Sequence, residues 1–229
     1  MTNLAVIPAR GGSTRLKNKN VCPINGKPLI AYTIEEAIKS RLFSKIIVST
    51  DSDKISAVAN DYPEIEIHKR PEAYAGSKVT VVEAIVDLME SSKEKYDTIT
   101  YMLPTCPFRN AEDIKEGMNL LKQNTDTVIS ACYYEEPIQL AMIRAEDGTG
   151  YPVFDNLRAG LTNSKYIQKY IKPNGGFYMG HWDHVLEKGG FFQGRIKTVL
   201  LPKERSVDID TIEDISYAEA VIKSYNAHG

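Results

Sequence analysis

Residues 4–19, LAVIPARGGSTRLKNK, join an apolar run to a loop with four cationic side chains and two glycines. The apolar part, 4–9, is typical of a buried strand. The remainder is too charged for a core and too rich in glycine for a helix. A glycine-rich turn after a strand points backbone N–H groups at an anion, and added Arg and Lys suggest a polyphosphate. The spacing is neither GxxxxGK[ST] nor GxGxxG. A solvated basic loop is the alternative.

Short apolar runs alternate with amphipathic segments from this first strand to residue 134. Strands are predicted at 4–9, 45–50, 64–69, 98–103 and 127–134, and helices at 28–40, 52–61, 79–92 and 110–124. Such alternation implies parallel strands joined by right-handed crossovers. We therefore predict a Rossmann-like three-layer α/β/α fold with a mostly parallel sheet. The length of 229 residues suits a single domain, 1–229.

The alternation breaks after residue 134. Segment 135–173 has no clean period, and we interpret it as an insertion, either a β-hairpin around 146–150 or a dimerisation arm. Regular segments return at 174–180, 197–202 and 206–210. A closing helix over 211–225 begins with Thr211 and Asp214 at capping-box spacing.

Composition limits the classes of partner and the cellular location. The formal net charge of −2 argues against nucleic acid as the main partner, so the local positive charge points to a small anionic ligand. The three cysteines are far apart and form no CxxC pair, which favours reduced thiols in a cytoplasmic protein. No apolar run approaches the length of a membrane span, and no export signal is recognisable.

The tetrapeptide VDID, 207–210, is the candidate metal site. In an extended segment alternate residues share a face, so Asp208 and Asp210 point together while Val207 and Ile209 pack the other way. Mg²⁺ binds one or two carboxylates and takes further oxygens from phosphate and water. The alternative is a solvent-facing strand with two acids.

Two further loops follow predicted strands, and in parallel sheets ligands bind at that edge. Asp51 in STD, 49–51, is best explained as a helix cap, since Asp is a preferred capping residue. LPTCPFR, 103–109, is a rigid loop that either walls a pocket or forms a simple turn. The four histidines have no ligand spacing.

Seven segments together resemble the acylneuraminate cytidylyltransferases, which make CMP-sialic acid and related CMP-nonulosonic acids. In chain order they are IPARGGSTRLKNKN, INGKPLIAYTIEEA, KIIVSTDS, RPEAYA, PTCPFR, KPNGGFYMG and VDIDTIEDI. The resemblance implies a homodimer that uses Mg²⁺. It also implies that CTP activates an acidic nine-carbon sugar, whose anomeric hydroxyl attacks the α-phosphate while pyrophosphate leaves.

The resemblance also implies roles by position. Arg10, Lys19 and Asn20 would hold the triphosphate, with the backbone of Gly11, Gly12 and Ser13 around it. Arg70 and Thr80 would lie near the cytidine, Asn174 and Gly175 would meet the sugar, and Asp208 and Asp210 would hold Mg²⁺. We assign the catalytic charges to Arg10, Arg15, Lys19 and Asp210. Lys165 and Lys172 are our candidates for the sugar carboxylate.

Two departures from the family pattern concern the charge that faces the phosphates and the wall that faces the sugar. Sialic acid synthetases usually have Ser-Lys-Gly at 13–15, where this chain has Thr14 and Arg15. That sequence, STRL, is typical of CMP-Kdo synthetases, so Arg15 would supply the missing charge. Leu103 stands where a hydrogen-bonding Gln is usual, which predicts a less polar wall and favours a deoxy or N-acylated nonulosonic acid.

Other functions stay open at this point. A CMP-Kdo-type enzyme or another Mg²⁺-dependent sugar nucleotidyltransferase is the alternative enzyme, although loop 103–109 lacks the Asp usual in Kdo enzymes. A glycosyltransferase would also place an Asp-x-Asp on a metal, usually after an interior strand. A non-catalytic nucleotide-binding protein is the third class.

Overall fold

The computed structural model describes residues 1–76 and 78–228, and within them seven strands form a central sheet. The strands are β1 (Asn3–Pro8), β2 (Pro23–Ile24), β3 (Lys27–Pro28), β4 (Lys45–Thr50), β5 (Ile65–Lys69), β6 (Thr98–Tyr101), β7 (Thr127–Tyr133), β8 (Met142–Arg144), β9 (Gly150–Pro152), β10 (Ile171–His181) and β11 (Ile196–Leu200). The α-helices are α1 (Leu29–Ser40), α2 (Asp53–Asn60), α3 (Val81–Ser91), α4 (Ala111–Leu121), α5 (Asp155–Arg158), α6 (Trp182–Lys188) and α7 (Ile212–His228).

The central sheet has the order β11-β7-β10-β6-β1-β4-β5. β1 pairs in parallel with β4 and β6, β4 with β5, and β11 with β7. β10 is antiparallel to both of its neighbours, β6 and β7. The predicted mostly parallel sheet is therefore confirmed, with one antiparallel strand inserted between two parallel ones.

Two apolar cores lie on opposite faces of the sheet. On one face α1, α2 and α4 pack against the sheet through Ile34, Ile55 and Ile114, among others. On the other face α3 and α6 do so through Leu88 and Val185. Alternate residues of β1 point to the two faces, as the twofold period of a strand requires. The predicted three-layer α/β/α architecture is confirmed.

A third apolar cluster lies beyond the carboxyl ends of the strands. The small hairpin of β2 and β3 turns through Asn25 and Gly26, both with positive φ, of 49° and 79°. Two consecutive positive φ values are typical of the tight hairpin turn that Asn-Gly favours. Ile24 in this hairpin packs against Ile209 and against α7. The segment 206–210 thus lies outside the sheet but is fixed by its apolar residues.

The segment 135–173 contains the antiparallel hairpin of β8 and β9, with Ile143 opposite Tyr151. The turn lies at the predicted position, 146–150. The hairpin and the residues after it leave large apolar side chains exposed, notably Ile143 at 62% and Tyr166 at 87%. The segment ends earlier than expected, because β10 already begins at Ile171.

Within the described ranges, no helix combines the length and the apolar character needed to cross a bilayer.

Candidate active site

The loops after β1, β5 and β6 meet at one edge of the sheet around a cavity of about 450 Å³, which we call the first cavity. Predicted site residues line much of it: Arg10, Ser13, Arg15, Lys19, Asn20, Arg70, Thr80 and Asp210, together with Leu103. The structure therefore brings together residues that are up to 200 positions apart in the chain, as expected for strand ends in a parallel sheet.

The loop after β1 is held by contacts that the sequence did not reveal. The Gly11 N–H donates to Asp51 Oδ1 at 2.7 Å, and the buried Asn20 donates from Nδ2 to the Arg10 carbonyl at 2.9 Å. The prediction that Asp51 caps a helix is wrong, because Ser52 occupies the N-cap of α2. The Asp51 carboxylate lies beside the loop and takes up a backbone donor there instead.

Part of the predicted phosphate cradle is already occupied by the protein itself. The Ser13 N–H donates to the Gly11 carbonyl at 3.0 Å, and the Gly11 N–H donates to Asp51. Gly12 has open space where a side chain would be. Asn20 is 6% exposed and fixes the loop through its amide, and Arg10 donates to the Gly76 carbonyl at 3.2 Å. Side-chain cations, more than the N–H groups of Gly11 and Ser13, therefore face the first cavity.

Asp210 joins the cationic loop to the carboxylate segment. Lys19 Nζ lies 2.7 Å from Asp210 Oδ1, and Arg15 Nη1 lies 2.8 Å from Oδ2. The Arg15 side chain is 68% exposed, so solvent screens its pair more than that of Lys19, which is 15% exposed. The Ile209 N–H donates to the Thr105 carbonyl at 2.8 Å, which attaches this segment to loop 103–109.

The Asp208 carboxylate occupies a different environment from that of Asp210. Asp208 is accessible to water, yet the protein packed around it removes much of its solvation, and this burial raises its pKa; a hydrogen bond from Thr105 opposes the rise. The Cys106 thiol lies nearby, 3.9 Å from Oδ1. Val207 and Ile209 are buried on the other side, so the predicted alternation is confirmed.

The carboxylates fit a divalent cation that takes its remaining ligands from phosphate. Asp208 and Asp210 supply hard oxygen donors on one segment, and no group of three or more His, Cys, Asp or Glu side chains suited to a metal is found among the described residues. Mg²⁺ needs only one or two carboxylates when a nucleotide supplies phosphate oxygens. The donor set is therefore of the right kind for Mg²⁺, and Lys19 and Arg15 both pair with the Asp210 carboxylate.

Arg70 and Thr80 also have structural tasks. Arg70 is buried at 7% exposure, and its Nη2 donates to the Ser49 carbonyl at 2.9 Å; burial lowers the pKa of its guanidinium. Thr80 caps α3 in a capping box with Glu83. The N-terminus of α3, which is the positive end of the helix dipole, lies at the first cavity.

Loop 103–109 is organised by a buried arginine that sequence reasoning did not single out. Arg109 is 1% exposed and donates to Thr33 Oγ1 at 2.8 Å and to the carbonyls of Leu103 and Cys106. Burial lowers the pKa of its guanidinium to about 10. An arginine after a proline-rich loop gives no pattern that would distinguish it from a surface residue.

Asn174 and Gly175 lie behind the site and do not line the first cavity. The Asn174 side chain donates to Ser206 at 2.9 Å and accepts from the Gly176 N–H at 3.1 Å. Gly175 has φ +76°, and a Cβ there would lie 2.7 Å from the Cys106 sulfur. Both residues fix an irregularity of β10 against loop 103–109, which leaves their expected contact with a sugar a prediction.

Lys165 and Lys172 lie at two separate cavities. Lys172 lines a second cavity of about 380 Å³, which it shares with Asp208, Tyr133 and Lys203. Lys165 lines a third of about 480 Å³ with Tyr133 and Tyr170. Lys172 Nζ lies 5.7 Å from the centre of the Tyr134 ring, a cation–π contact. Of the two candidates, only Lys172 lies on a cavity with one of the paired carboxylates.

Comparison with known proteins gives the family. The sequence profile described as cytidylyltransferase matches residues 4–164. The chain belongs to the cytidylyltransferase family. This cytidylyltransferase is 32% identical over 228 residues to the pseudaminic acid cytidylyltransferase of Campylobacter jejuni, covering 97% of each chain. It is 33% identical over 229 residues to the CMP-N,N'-diacetyllegionaminic acid synthase of Legionella pneumophila, again with 97% of each covered.

Solved structures agree on the fold of the cytidylyltransferase. A CMP:2-keto-3-deoxy-manno-octonic acid synthetase complexed with CTP superposes with a TM-score of 0.69 at 15% identity, covering 98% of this chain and 100% of that one. At that identity the likeness concerns the fold alone. The predicted family and enzyme class, a nucleotidyltransferase, are confirmed by the sequence relatives.

Proposed function

We propose that this cytidylyltransferase uses CTP to activate an acidic nine-carbon sugar, giving a CMP-sugar and pyrophosphate. The observation that carries the proposal is the placement of the two carboxylates of one short segment. Asp210 lines the first cavity with the cationic loop, and Asp208 lines the second cavity with Lys172. A nucleotide in the first cavity and a sugar acid in the second would meet at the segment 208–210.

Charge neutralisation is the main task of the protein in such a transfer, because the phosphates supply most of the developing negative charge. Arg10, Arg15 and Lys19 face the first cavity and would hold the triphosphate. Asp208 and Asp210 would hold Mg²⁺, which when bound neutralises phosphate charge in the transition state. Because Lys19 and Arg15 now bind Asp210, CTP would compete for these cations and release the carboxylate.

The proposed sugar site is supported by the charge and polarity of the residues that line the two cavities. A sugar acid brings a carboxylate, and among the described residues Lys172 is the cation on the second cavity without an acidic partner; Lys203 there pairs with Glu135 at 2.7 Å. Leu103 lines the first cavity and gives it an apolar wall. Two relatives named for pseudaminic and legionaminic acids are about equally similar, so identity alone does not choose between these sugars.

Release of pyrophosphate tests this function directly. We expect turnover with CTP and a nonulosonic acid in the presence of Mg²⁺, and little with UTP, GTP or ATP. Turnover with CTP and Kdo in preference to every nine-carbon acid would favour the Kdo-type alternative. Absence of turnover with all four nucleotides, while CTP still binds, would favour a non-catalytic binding protein.

We also propose a homodimer in the cytoplasm, with the 135–173 segment as its arm. The support is the exposed apolar surface of this segment, which includes Met142 at 55%, Ile143 at 62% and Tyr151 at 53%. Large apolar side chains that are exposed side by side usually mark a contact surface. Light scattering at micromolar concentration should give twice the mass of the 25.6 kDa chain. A monomer would contradict the dimer without affecting the proposed chemistry.

A further inference from the structure

A line of three side chains runs from the edge of the sheet to the first cavity. His68 Nδ1 in β5 lies 3.1 Å from Ser49 Oγ in β4, and Arg70 Nε donates to the same oxygen at 3.3 Å. The strand register sets this arrangement, since Ser49 pairs directly with His68. Ser49 is 2% exposed, whereas Arg70 reaches the lining of the first cavity.

The hydrogen-bonding capacity of these three groups favours one protonation state of the line. The guanidinium of Arg70 remains a donor at all relevant pH, so Ser49 Oγ must accept from its Nε. The single hydroxyl proton of Ser49 can then be donated to His68 Nδ1 when that nitrogen is unprotonated, and this is the arrangement in which every donor in the line has an acceptor. If Nδ1 carried a proton, in the imidazolium or in the other neutral tautomer, His68 and Arg70 would both donate to one buried oxygen. The Ser49 proton would then have no acceptor among the described residues, at a substantial cost.

We propose that neutral His68 is a positioning residue for nucleotide binding, which acts through Ser49 to fix the guanidinium of Arg70 at the first cavity. Arg70 donates from Nε and Nη2 to Ser49. Nη1 is the guanidinium nitrogen for which the described residues provide no hydrogen-bond acceptor. Because the guanidinium is planar, fixing Nε and Nη2 also fixes the orientation of Nη1. His68 itself does not line the first cavity; it lies in a separate outer groove of about 360 Å³.

The charges around His68 agree with a neutral imidazole. Burial lowers the pKa of His68, and the Arg70 guanidinium lowers it further, while Asp87 in α3 and Glu66 in β5 oppose the shift. Other charged groups on the same groove are Lys45, Lys69, Lys93 and Glu94. Because the folded pKa is below the usual value, the neutral form holds at neutral pH, and the protonated form accumulates only as the pH falls. Positioning of Arg70 should therefore weaken on the acid side.

This role rests on the proposed function, because it requires that Arg70 contact the nucleotide. Three changes test it. His68→Leu removes the acceptor, His68→Asn keeps an acceptor near Nδ1 but cannot titrate, and Arg70→Ala removes the positioned group. His184→Leu is the matched control, since one nitrogen of that ring also makes a hydrogen-bond contact, with the Gln193 carbonyl at 3.1 Å, but the ring does not line the first or the second cavity.

The readouts are kcat and the KM for CTP between about pH 5.5 and 8.5, with thermal melting to confirm folding. We expect His68→Leu to raise the KM about three- to tenfold, the size of one lost hydrogen bond, with kcat nearly unchanged. His68→Asn should restore the KM and remove part of its acid-side rise. The titration of CTP itself is common to all variants and cancels in their ratios. His68→Leu should add nothing in the Arg70→Ala background.

Three results would overturn the proposal in distinguishable ways. If Arg70→Ala leaves the KM for CTP unchanged, the placement of Arg70 at the nucleotide is wrong and the role of His68 fails with it. If Arg70→Ala raises the KM and His68→Leu does not, only the positioning role is wrong. If a folded His68→Asn variant behaves like His68→Leu at every pH, the acceptor at Nδ1 is not what matters.

Discussion

Gly11→Ala tests whether the loop after β1 is fixed by close packing. A Cβ at Gly11 would lie 2.9 Å from Ser52 Cβ and 3.3 Å from Ser52 Oγ. Two carbon atoms in contact prefer about 3.5 Å or more, so the loop and the start of α2 must separate by roughly 0.6 Å. A change of side-chain rotamer cannot relieve this contact, because the position of a Cβ is set by the backbone.

The same shift affects the hydrogen bond that holds the loop. The Gly11 N–H lies 2.7 Å from Asp51 Oδ1, and roughly 0.6 Å of separation would take it to the limit of a hydrogen bond. Overpacking of this kind costs about 1–3 kcal/mol. We expect this cost to be divided between the free energy of unfolding and the free energy of CTP binding, measured by thermal or urea melting and by calorimetry.

Two further variants make the comparison sharp. Gly12→Ala is the matched control, since a Cβ there meets no atom of the described residues within 4 Å, and its φ is not in the left-handed region. Ser52→Gly removes the obstructing Cβ and costs only a few tenths of a kcal/mol, because Ser52 makes no side-chain cap bond. Gly11→Ala should therefore be rescued by Ser52→Gly. If Gly11→Ala matches Gly12→Ala in both stability and CTP affinity, the packing of this loop does not matter to the site.

The remaining predictions concern the charges and the apolar wall. Asp208→Ala and Asp210→Ala should each abolish turnover while melting close to the wild type, since each removes a proposed metal ligand and no core contact; near-normal activity in both would remove the segment from the site. Arg10→Ala and Lys19→Ala should each weaken CTP binding by about 1.5–3 kcal/mol in calorimetry, whereas unchanged affinity in both would mean that these cations are merely solvated. Leu103 predicts a higher kcat/KM for a deoxy or N-acylated nonulosonic acid than for Kdo or the deaminated analogue of sialic acid, and a clear preference for the most hydroxylated sugar would contradict it.

The alternation of apolar runs was sufficient to predict the sheet and its helical layers. Hydrophobic period is a local property, so β1, β4, β5, β6 and β7 could be placed within a few residues. It was not sufficient to predict that β10 runs antiparallel between β6 and β7. The direction of a strand leaves no trace in its own period and depends on the long connection before it.

Function was predicted where residue type and order carry the chemistry. The cationic loop, the alternate acids and the seven motifs gave the family, and the structure places the loop and Asp210 on one cavity. The role predicted for Asp51 was wrong because an Asp carboxylate accepts equally well from the N–H groups of a helix N-terminus and from an N–H that is distant in sequence. The choice between them depends on which donor lies nearby in three dimensions.

Tertiary structure alone decided which polar residues face a ligand and which support the fold. The sequence determined that cations and carboxylates would gather at one edge of the sheet, because the ends of parallel strands must meet there. It did not reveal that the side chains of Arg109 and Asn174 form their hydrogen bonds with other protein groups, or that Ser49 links His68 to Arg70. Each side chain has the same hydrogen-bonding groups in either role, and only the packing around it determines whether water, a ligand or the backbone satisfies them.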